Sequence, residues 1–149
     1  MRDIRYIVVH CTASNQERTY KDILKEFKLK GWRNPGYHYI IEADGALHKV
    51  LEDGEVANGV KGHNANSMHV AYIGGIDSKG KPLDNRTPGQ KATLRRVLEY
   101  LHGKYPSARI LGHRDFSPDK NGNGIVDPWE RVKACPCFEV KEEYKDLEP

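Results

Sequence analysis

The fold is decided near the amino terminus by the stretch Ile4-Arg5-Tyr6-Ile7-Val8-Val9-His10. A short apolar run that finishes on β-branched residues is typical of a buried strand. A strand that ends in a histidine places the imidazole at an edge of the sheet, where a cleft can form. The stretch therefore predicts a buried first strand that presents His10 to a candidate site.

Two further segments carry side chains that could join His10. Arg109-Ile110-Leu111-Gly112-His113 predicts a short strand that delivers a second histidine, and Lys133-Ala134-Cys135-Pro136 offers a thiol in a proline-bounded loop. Two imidazoles and one thiolate supply three corners of a tetrahedral zinc site, and a catalytic site leaves the fourth corner for water. We expect His10 and His113 at the ends of adjacent strands, with Cys135 reaching them from the loop before the last helix. Cys137 is the nearest rival ligand.

The other patterned segments alternate between helix and strand. Thr19 can cap a helix, Asp44-Gly45 is typical of a hairpin turn, and Thr87-Pro88-Gly89-Gln90 has the pattern of a capping box with proline at the first helical position. The predicted strands span residues 4–9, 37–42, 46–50, 68–73 and 109–111, and the predicted helices span residues 20–30, 87–101 and 139–147. This order predicts a single α/β (α+β) domain over residues 1–149, with a mixed central β-sheet flanked by helices.

Composition narrows the classes of partner. The chain has 149 residues and a net charge of +3, with both signs of charge interspersed. That charge is too weak to indicate a nucleic-acid partner, although it suits attraction to an anionic polymer. No apolar stretch approaches the length that spans a bilayer, and the first apolar run is too short for a signal peptide. The odd count of three cysteines argues against a disulfide framework. We expect a monomer.

Six motifs follow one another in order along nearly the whole chain: His10-Cys11-Thr12-Ala13-Ser14, Gly36-Tyr37-His38-Tyr39-Ile40-Ile41, Asn64-Ala65-Asn66-Ser67, Gly74-Gly75-Ile76-Asp77, Thr87-Pro88-Gly89-Gln90 and Lys133-Ala134-Cys135-Pro136. Together they resemble the zinc-dependent N-acetylmuramoyl-L-alanine amidases. This family includes the phage lysozyme-type amidases and the peptidoglycan recognition proteins. The resemblance implies a mixed sheet flanked by helices, with zinc in a surface groove.

The resemblance also implies an activity and roles for five residues. The expected reaction is cleavage of the amide between the lactyl group of N-acetylmuramic acid and L-alanine in peptidoglycan. The zinc ligands fall on His10, His113 and Cys135, and the catalytic residues fall on Tyr37 and Lys133. Zinc lowers the pKa of a bound water to ~7 and polarises the scissile carbonyl. Lys133 is expected to place a positive charge near the oxyanion, and Tyr37 to hydrogen-bond the water or pass a proton to the leaving amine.

The chain departs from the phage pattern at two places. Gly59 stands where the phage enzyme has a histidine two residues before Lys-Gly, and His63 is the neighbouring candidate for its place in the groove. We therefore assign His63 and Asn64 as candidate substrate-binding residues. The segment between His113 and Cys135 is also considerably longer than in the phage pattern.

That longer segment contains a calcium-loop pattern. Residues 119–130 fit the EF-hand loop pattern at every position, with glycine at the sharp turn and glutamate at the last place. A Gly/Asn-rich turn is the alternative interpretation. The candidate ligands of a structural Ca²⁺ are Asp119, Asn121, Asn123, Ile125 through its carbonyl, Asp127 and Glu130.

Two other functions remain open at this point. A peptidoglycan-binding module of the same fold without activity is the main alternative, although such recognition proteins typically lack the cysteine ligand. A regulator that binds another protein is the third possibility. An enzyme that acts on the cell wall must be exported, released by a phage or delivered by another system.

Overall fold

The computed structural model describes residues 2–117, 126 and 134–149. Its strands form one five-stranded sheet in the order β3-β2-β4-β1-β5. The strands are β1 (Tyr6–Cys11), β2 (Tyr39–Ile41), β3 (Leu47–Lys49), β4 (Ser67–Tyr72) and β5 (Arg109–Gly112). The central strand pairs are parallel and β3 runs antiparallel to β2, so the predicted mixed sheet is confirmed.

The sheet register aligns the ends of the strands that carry the site. In β1, Val9 pairs with Gly112 of β5 on one side, and His10 pairs with Ala71 of β4 on the other. His113 follows β5 directly. The two histidines therefore lie at the same edge of adjacent parallel strands, as the sequence predicts.

In the described part of the chain three helices pack around the sheet, and two of them begin at the predicted caps. They are α1 (Tyr20–Leu29), α2 (Pro88–Lys104) and α3 (Val140–Glu143), and short 3-10 turns cover Asn64–Asn66, His113–Phe116 and Lys145–Leu147. Thr19 caps α1, and Thr87 and Gln90 form the capping box of α2. The Nε2 of Gln90 also donates to the carbonyls of Ile41 and Ile73, so this cap ties α2 to the sheet.

The sheet is covered on both faces. On one face, α2 and the carboxyl-terminal segment pack on a large apolar cluster that includes Val9, Val70 and Tyr72. On the other face, Ile23 and Phe27 of α1 pack with Ile40 and Ile73. The core has two apolar layers separated by the sheet, and β1 and β4 are buried along their whole length apart from the start of β1.

The hairpin turn follows the prediction, whereas the carboxyl-terminal helix departs from it. Gly45 adopts a φ of +91° in the hairpin between β2 and β3, and a Cβ there would lie 2.9 Å from the carbonyl oxygen of Gly89. The last helix is shorter than predicted, because Tyr144 leaves helical geometry at φ −115° and ψ 25°. Among the described residues, no helix is long and apolar enough to cross a membrane.

Candidate active site

Three residues from distant parts of the chain bring potential metal ligands together. One ligand atom each from His10, His113 and Cys135 lies within 4.8 Å of the other two. The Nδ1 of His10 is 3.9 Å from the Sγ of Cys135. Ligands of a tetrahedral zinc ion lie ~3.3–3.6 Å apart at ordinary Zn–N and Zn–S lengths. The donor set is that of a zinc ion with three protein ligands, and its atoms lie somewhat farther apart than in a loaded site, so a bound ion would draw them closer together.

The position of His113 is fixed by the turn that follows β5. The backbone N–H of Gly112 donates to the Oδ2 of Asp115 over 2.7 Å, which closes the 3-10 turn that carries His113. The backbone N–H of Arg114 donates to the carbonyl of Cys135 over 2.9 Å. The turn that holds the second histidine is thus bonded directly to the loop that holds the thiol.

The Cys135 loop approaches β5 closely. A Cβ on Gly112 would lie 2.9 Å from the Cδ of Pro136, so glycine is required for this approach. The buried hydroxyl of Tyr72 donates to the carbonyl of Pro136 over 2.6 Å. These two contacts hold the loop against the sheet edge and direct Cys135 towards His10.

The surroundings of the cluster hold Cys135 in place and favour the metal-binding protonation state of His10. The backbone N–H of Cys11 donates to the Sγ of Cys135 over 3.1 Å and holds the sulfur beside His10. Burial, followed by the nearby His69 and His113, lowers the pKa of His10 well below its ordinary value. His10 is therefore neutral, as a metal ligand must be.

Cys137 faces away from the cluster. Its Sγ lies 3.9 Å from the Sγ of Cys11 and donates to the carbonyl of Gly75 over 3.4 Å. The contact with Cys11, followed by burial, raises the pKa of Cys137. The Sγ of Cys135 lies 3.9 Å from His10, whereas the Sγ of Cys137 contacts Cys11 and Gly75, so the geometry favours Cys135 over this rival.

Tyr37 lies beside the cluster, just before β2. Its ring centroid is 5.1 Å from that of His10, and its hydroxyl donates to the carbonyl of Cys11 over 3.4 Å. Burial raises the pKa of Tyr37 well above its ordinary value. The hydroxyl therefore keeps its proton and can act as a hydrogen-bond donor next to the cluster.

The structure also places at the site a histidine that the sequence did not single out. The Nδ1 of His69 lies 2.9 Å from the Nε2 of His10, on the side of the ring away from Cys135. His69 is fully buried, and this burial lowers its pKa to about 3. The absence of a side chain at Gly59 was the available clue, because a Cβ there would lie 2.3 Å from the Nδ1 of His69.

A cleft of about 810 Å³ opens beside His10, His113 and Tyr37. Its wall includes the stacked rings of Phe27 and Trp32, whose centroids are 5.2 Å apart. The other lining residues include the cationic Lys30, Arg33 and Lys61 and the polar Asn58 and Asn64. A second cavity of about 400 Å³ shares Tyr37 and His113 with the cleft and continues past Cys135. The cluster therefore lies in the middle of an extended groove.

The remaining predicted residues divide into three groups. Asn64 lines the cleft, whereas His63 packs against the rings of Tyr6 and Phe116 at centroid distances of 6.0 and 4.6 Å. The predicted catalytic Lys133 lies outside the described residues. So do all the predicted calcium ligands, namely Asp119, Asn121, Asn123, Ile125, Asp127 and Glu130.

Comparisons with known proteins identify relatives of similar sequence and structures of similar fold. The chain is 38% identical over 135 residues to the endolysin of Enterobacteria phage K11, covering 89% of this chain and 80% of that protein. It is 36% identical over 137 residues to the endolysin of Escherichia phage T7, covering 91% of this chain and 82% of that protein.

Solved structures share the fold at lower identity. The amidase LysC from Clostridium intestinale URNW superposes with a TM-score of 0.74 at 24% identity, over 97% of this chain and 87% of that one. Drosophila PGRP-LB superposes with a TM-score of 0.70 at 16% identity, over 97% of this chain and 81% of that one. Residues 1–137 match the family described as N-acetylmuramoyl-L-alanine amidase. The chain therefore belongs to the N-acetylmuramoyl-L-alanine amidase family.

Proposed function

We propose that this protein is a zinc-dependent hydrolase that cleaves the amide bond between N-acetylmuramic acid and L-alanine in peptidoglycan. The observation that carries the proposal is the meeting of His10, His113 and Cys135 within 4.8 Å in the middle of a groove. Membership of the amidase family and the endolysin relatives support the substrate class.

The cluster residues would hold the metal, and two more residues would act on the substrate. Zinc, when bound, supplies a Lewis acid that polarises a carbonyl and acidifies a water. Tyr37 is placed to donate a hydrogen bond at the cluster and to pass a proton towards the leaving amine. Lys133 is assigned from the sequence to the oxyanion, because a preorganised cation there stabilises developing negative charge.

The charge of the cleft suits a peptide substrate with free carboxylates. Lys30, Arg33 and Lys61 line the same cleft as the apolar pair Phe27 and Trp32. Cations attract and orient carboxylates, and exposed rings offer flat surfaces for the apolar parts of a sugar or a peptide. We therefore infer that the peptide stem of a muropeptide lies along this side of the groove.

The presence of Cys135 favours the enzyme over the binding module. The fold is shared with recognition proteins, so the fold alone does not separate the two functions. A module that only binds peptidoglycan has no need of a three-ligand cluster with an adjacent hydroxyl donor. The endolysin relatives favour action at the cell wall after release by a phage.

Digestion of purified sacculi tests the proposal. The zinc-loaded protein should release fragments with a new free amino group on L-alanine and a new lactyl carboxylate, both identified by mass spectrometry. The Cys135→Ser variant and chelator-treated protein serve as inactive controls. Binding to sacculi without any new L-alanine amino group would instead establish the binding module.

A further inference from the structure

The imidazole of His69 is fully buried and lies against the ring of His10. It lies on β4, beside the strand that carries His10, with Nδ1 2.9 Å from the Nε2 of His10. The backbone N–H of His69 donates to the Nδ1 of His38 over 3.1 Å, and the backbone N–H of His38 donates to the carbonyl of His69 over 2.9 Å. His69 is thus held on a paired strand. It contacts the Nε2 of His10, a proposed ligand, on the side of the ring opposite Cys135.

Hydrogen-bond chemistry fixes the roles of the two rings. The Nδ1 of His10 faces Cys135, so a metal bound between the two residues would take the lone pair of this nitrogen and leave the proton on Nε2. The neutral His10 then donates from Nε2, and the Nδ1 of His69 accepts. A ligand histidine whose second nitrogen donates to a fixed acceptor is held in one tautomer and one orientation.

Apart from the contact with His10, the surroundings of His69 do not satisfy the polar atoms of an imidazole. Its Nε2 is buried and has no hydrogen-bond partner within residues 2–117, 126 and 134–149. An unpaired buried nitrogen opposes folding, and an aliphatic side chain of similar size would avoid that cost. The contact with His10 is the polar contact that the ring does make in this part of the chain.

The neighbouring backbone is shaped to accept the ring. A Cβ on Gly59 would lie 2.3 Å from the Nδ1 and 2.6 Å from the Cε1 of His69, distances that no real contact allows. Glycine at this position therefore leaves space for the imidazole. Gly59 and His69 act as a pair, because any side chain at residue 59 would displace the ring from His10.

We propose that His69 is a positioning residue for the metal centre, which accepts a hydrogen bond from the Nε2–H of His10 and so directs the Nδ1 of His10 at the metal. Gly59 contributes to this arrangement, because the absence of a side chain there leaves space for the His69 ring. This inference rests on the proposed function, because it assumes that His10, His113 and Cys135 bind a transition metal.

Metal affinity in a set of variants tests the proposal. Zinc dissociation constants are measured by competition with a chromophoric chelator, with folding checked by circular dichroism. His69→Leu, which removes the acceptor, should weaken zinc binding roughly 10- to 100-fold. His69→Asn can place an amide oxygen near the former Nδ1 and should restore most of the affinity. Gly59→Ala should weaken binding although His69 is still present.

A matched control separates this effect from the general effect of adding a methyl group. A Cβ on Gly103 in α2 would point into open space, with no contact within 4 Å among the described residues outside its own helix backbone. Gly103→Ala should therefore leave the zinc affinity unchanged.

Spectroscopy provides a second test. The absorption of the cobalt-substituted protein should change in His69→Leu and return towards wild type in His69→Asn. Nitrogen NMR of the zinc-loaded wild type should show a proton on the Nε2 of His10 and none on the Nδ1 of His69.

The outcomes distinguish failure of this inference from failure of the proposed function. A wild-type protein that binds no zinc overturns both. Zinc affinity that is equal in wild type, His69→Leu and Gly59→Ala overturns only the role of His69. If His69→Leu does not fold, Gly59→Ala and the NMR spectrum decide, and a proton on the Nδ1 of His69 in the zinc-loaded protein contradicts the proposal.

Discussion

The backbone N–H of Cys11 donates a hydrogen bond to the Sγ of Cys135 over 3.1 Å. Because Cys11 directly follows His10, one strand end supplies both a proposed ligand and a donor to the sulfur of another. The hydrogen bond holds the Cys135 sulfur next to His10, where a metal could be shared between the two side chains. This contact distinguishes Cys135 from Cys137, whose sulfur faces Gly75.

Replacement of the two cysteines should therefore give opposite results. Cys135→Ser should bind no zinc, because it removes one of the three proposed ligands. Cys137→Ser should retain one zinc ion per chain. Elemental analysis after dialysis against a metal-free buffer measures both. Zinc that is lost from the Cys137 variant and kept by the Cys135 variant would show that the assignment is wrong.

Removal of the Tyr37 hydroxyl should slow catalysis without loss of the metal. Tyr37→Phe keeps the ring that packs 5.1 Å from His10 and deletes only the donor. Loss of one preorganised donor costs ~10²–10³ in rate, so the turnover of a muropeptide should fall by about that factor. Tyr100→Phe, at a ring that is 58% exposed, is the matched control. Full activity in Tyr37→Phe would exclude the proposed role.

Removal of the Lys133 ammonium group should have a similar effect for an electrostatic reason. Lys133 is assigned from the motif Lys133-Ala134-Cys135-Pro136, and its replacement by alanine should lower turnover by ~10²–10³ while zinc stays bound. Lys141→Ala provides a control for loss of a charge in the same part of the chain. Wild-type turnover in the Lys133 variant would mean that the oxyanion is stabilised by other groups.

Buried histidines should make the metal-free protein sensitive to mild acid. Burial lowers the pKa of His38 to about 4, from an ordinary value of 6.5. The folded protein keeps this ring neutral, whereas the unfolded chain takes up a proton below pH ~6.5, so the free energy of unfolding should fall as the pH drops towards 4. The loss from this residue is on the order of 3 kcal/mol.

Urea denaturation of the metal-free protein between pH 7 and pH 4.5 measures this effect. The His38→Gln variant has no imidazole to protonate at this position, so its free energy of unfolding should depend less steeply on pH. An identical slope in wild type and variant would contradict the assignment.

Calcium should raise the melting temperature if residues 119–130 form the predicted loop. This prediction rests on the sequence pattern, and a ligand that binds only the folded state stabilises it by mass action. Glu130→Gln should abolish the shift, because the last ligand of such a loop binds with both oxygens. Zinc content is followed in parallel, because a chelator can remove both metals. If the melting temperature of the zinc-loaded wild type does not change up to millimolar calcium, the prediction is wrong and the alternative of a Gly/Asn-rich turn stands.

The local parts of the fold were predictable because their causes are local. Thr19 and Thr87 begin helices through side-chain caps that depend on a few neighbouring residues, and Asp44-Gly45 sets a tight hairpin by its own backbone preference. His10 and His113 were placed correctly at adjacent strand ends, because each follows an apolar run that defines its strand. The end of the last helix depends on how Tyr144 packs, which a local pattern does not contain.

The partnership of Gly59 and His69 could not be deduced from the sequence alone. Each has an ordinary local context, and the two residues meet only after β4 pairs with β1 in the register that sets His69 opposite Val8. A register shift of one residue would turn the imidazole to the opposite face of the sheet. Long-range register therefore decides whether this histidine fills a core or supports a metal ligand.

The wide separation of the proposed ligands along the chain has a thermodynamic consequence. His10 and Cys135 are 125 positions apart, so an ion shared between them closes a ring that contains most of the polypeptide. Closing so long a ring restricts the unfolded ensemble strongly, as a long-range disulfide does. If His10 and Cys135 hold the proposed zinc ion, that ion would act as a reversible cross-link as well as a catalytic group, and its release would both destabilise the domain and inactivate the site.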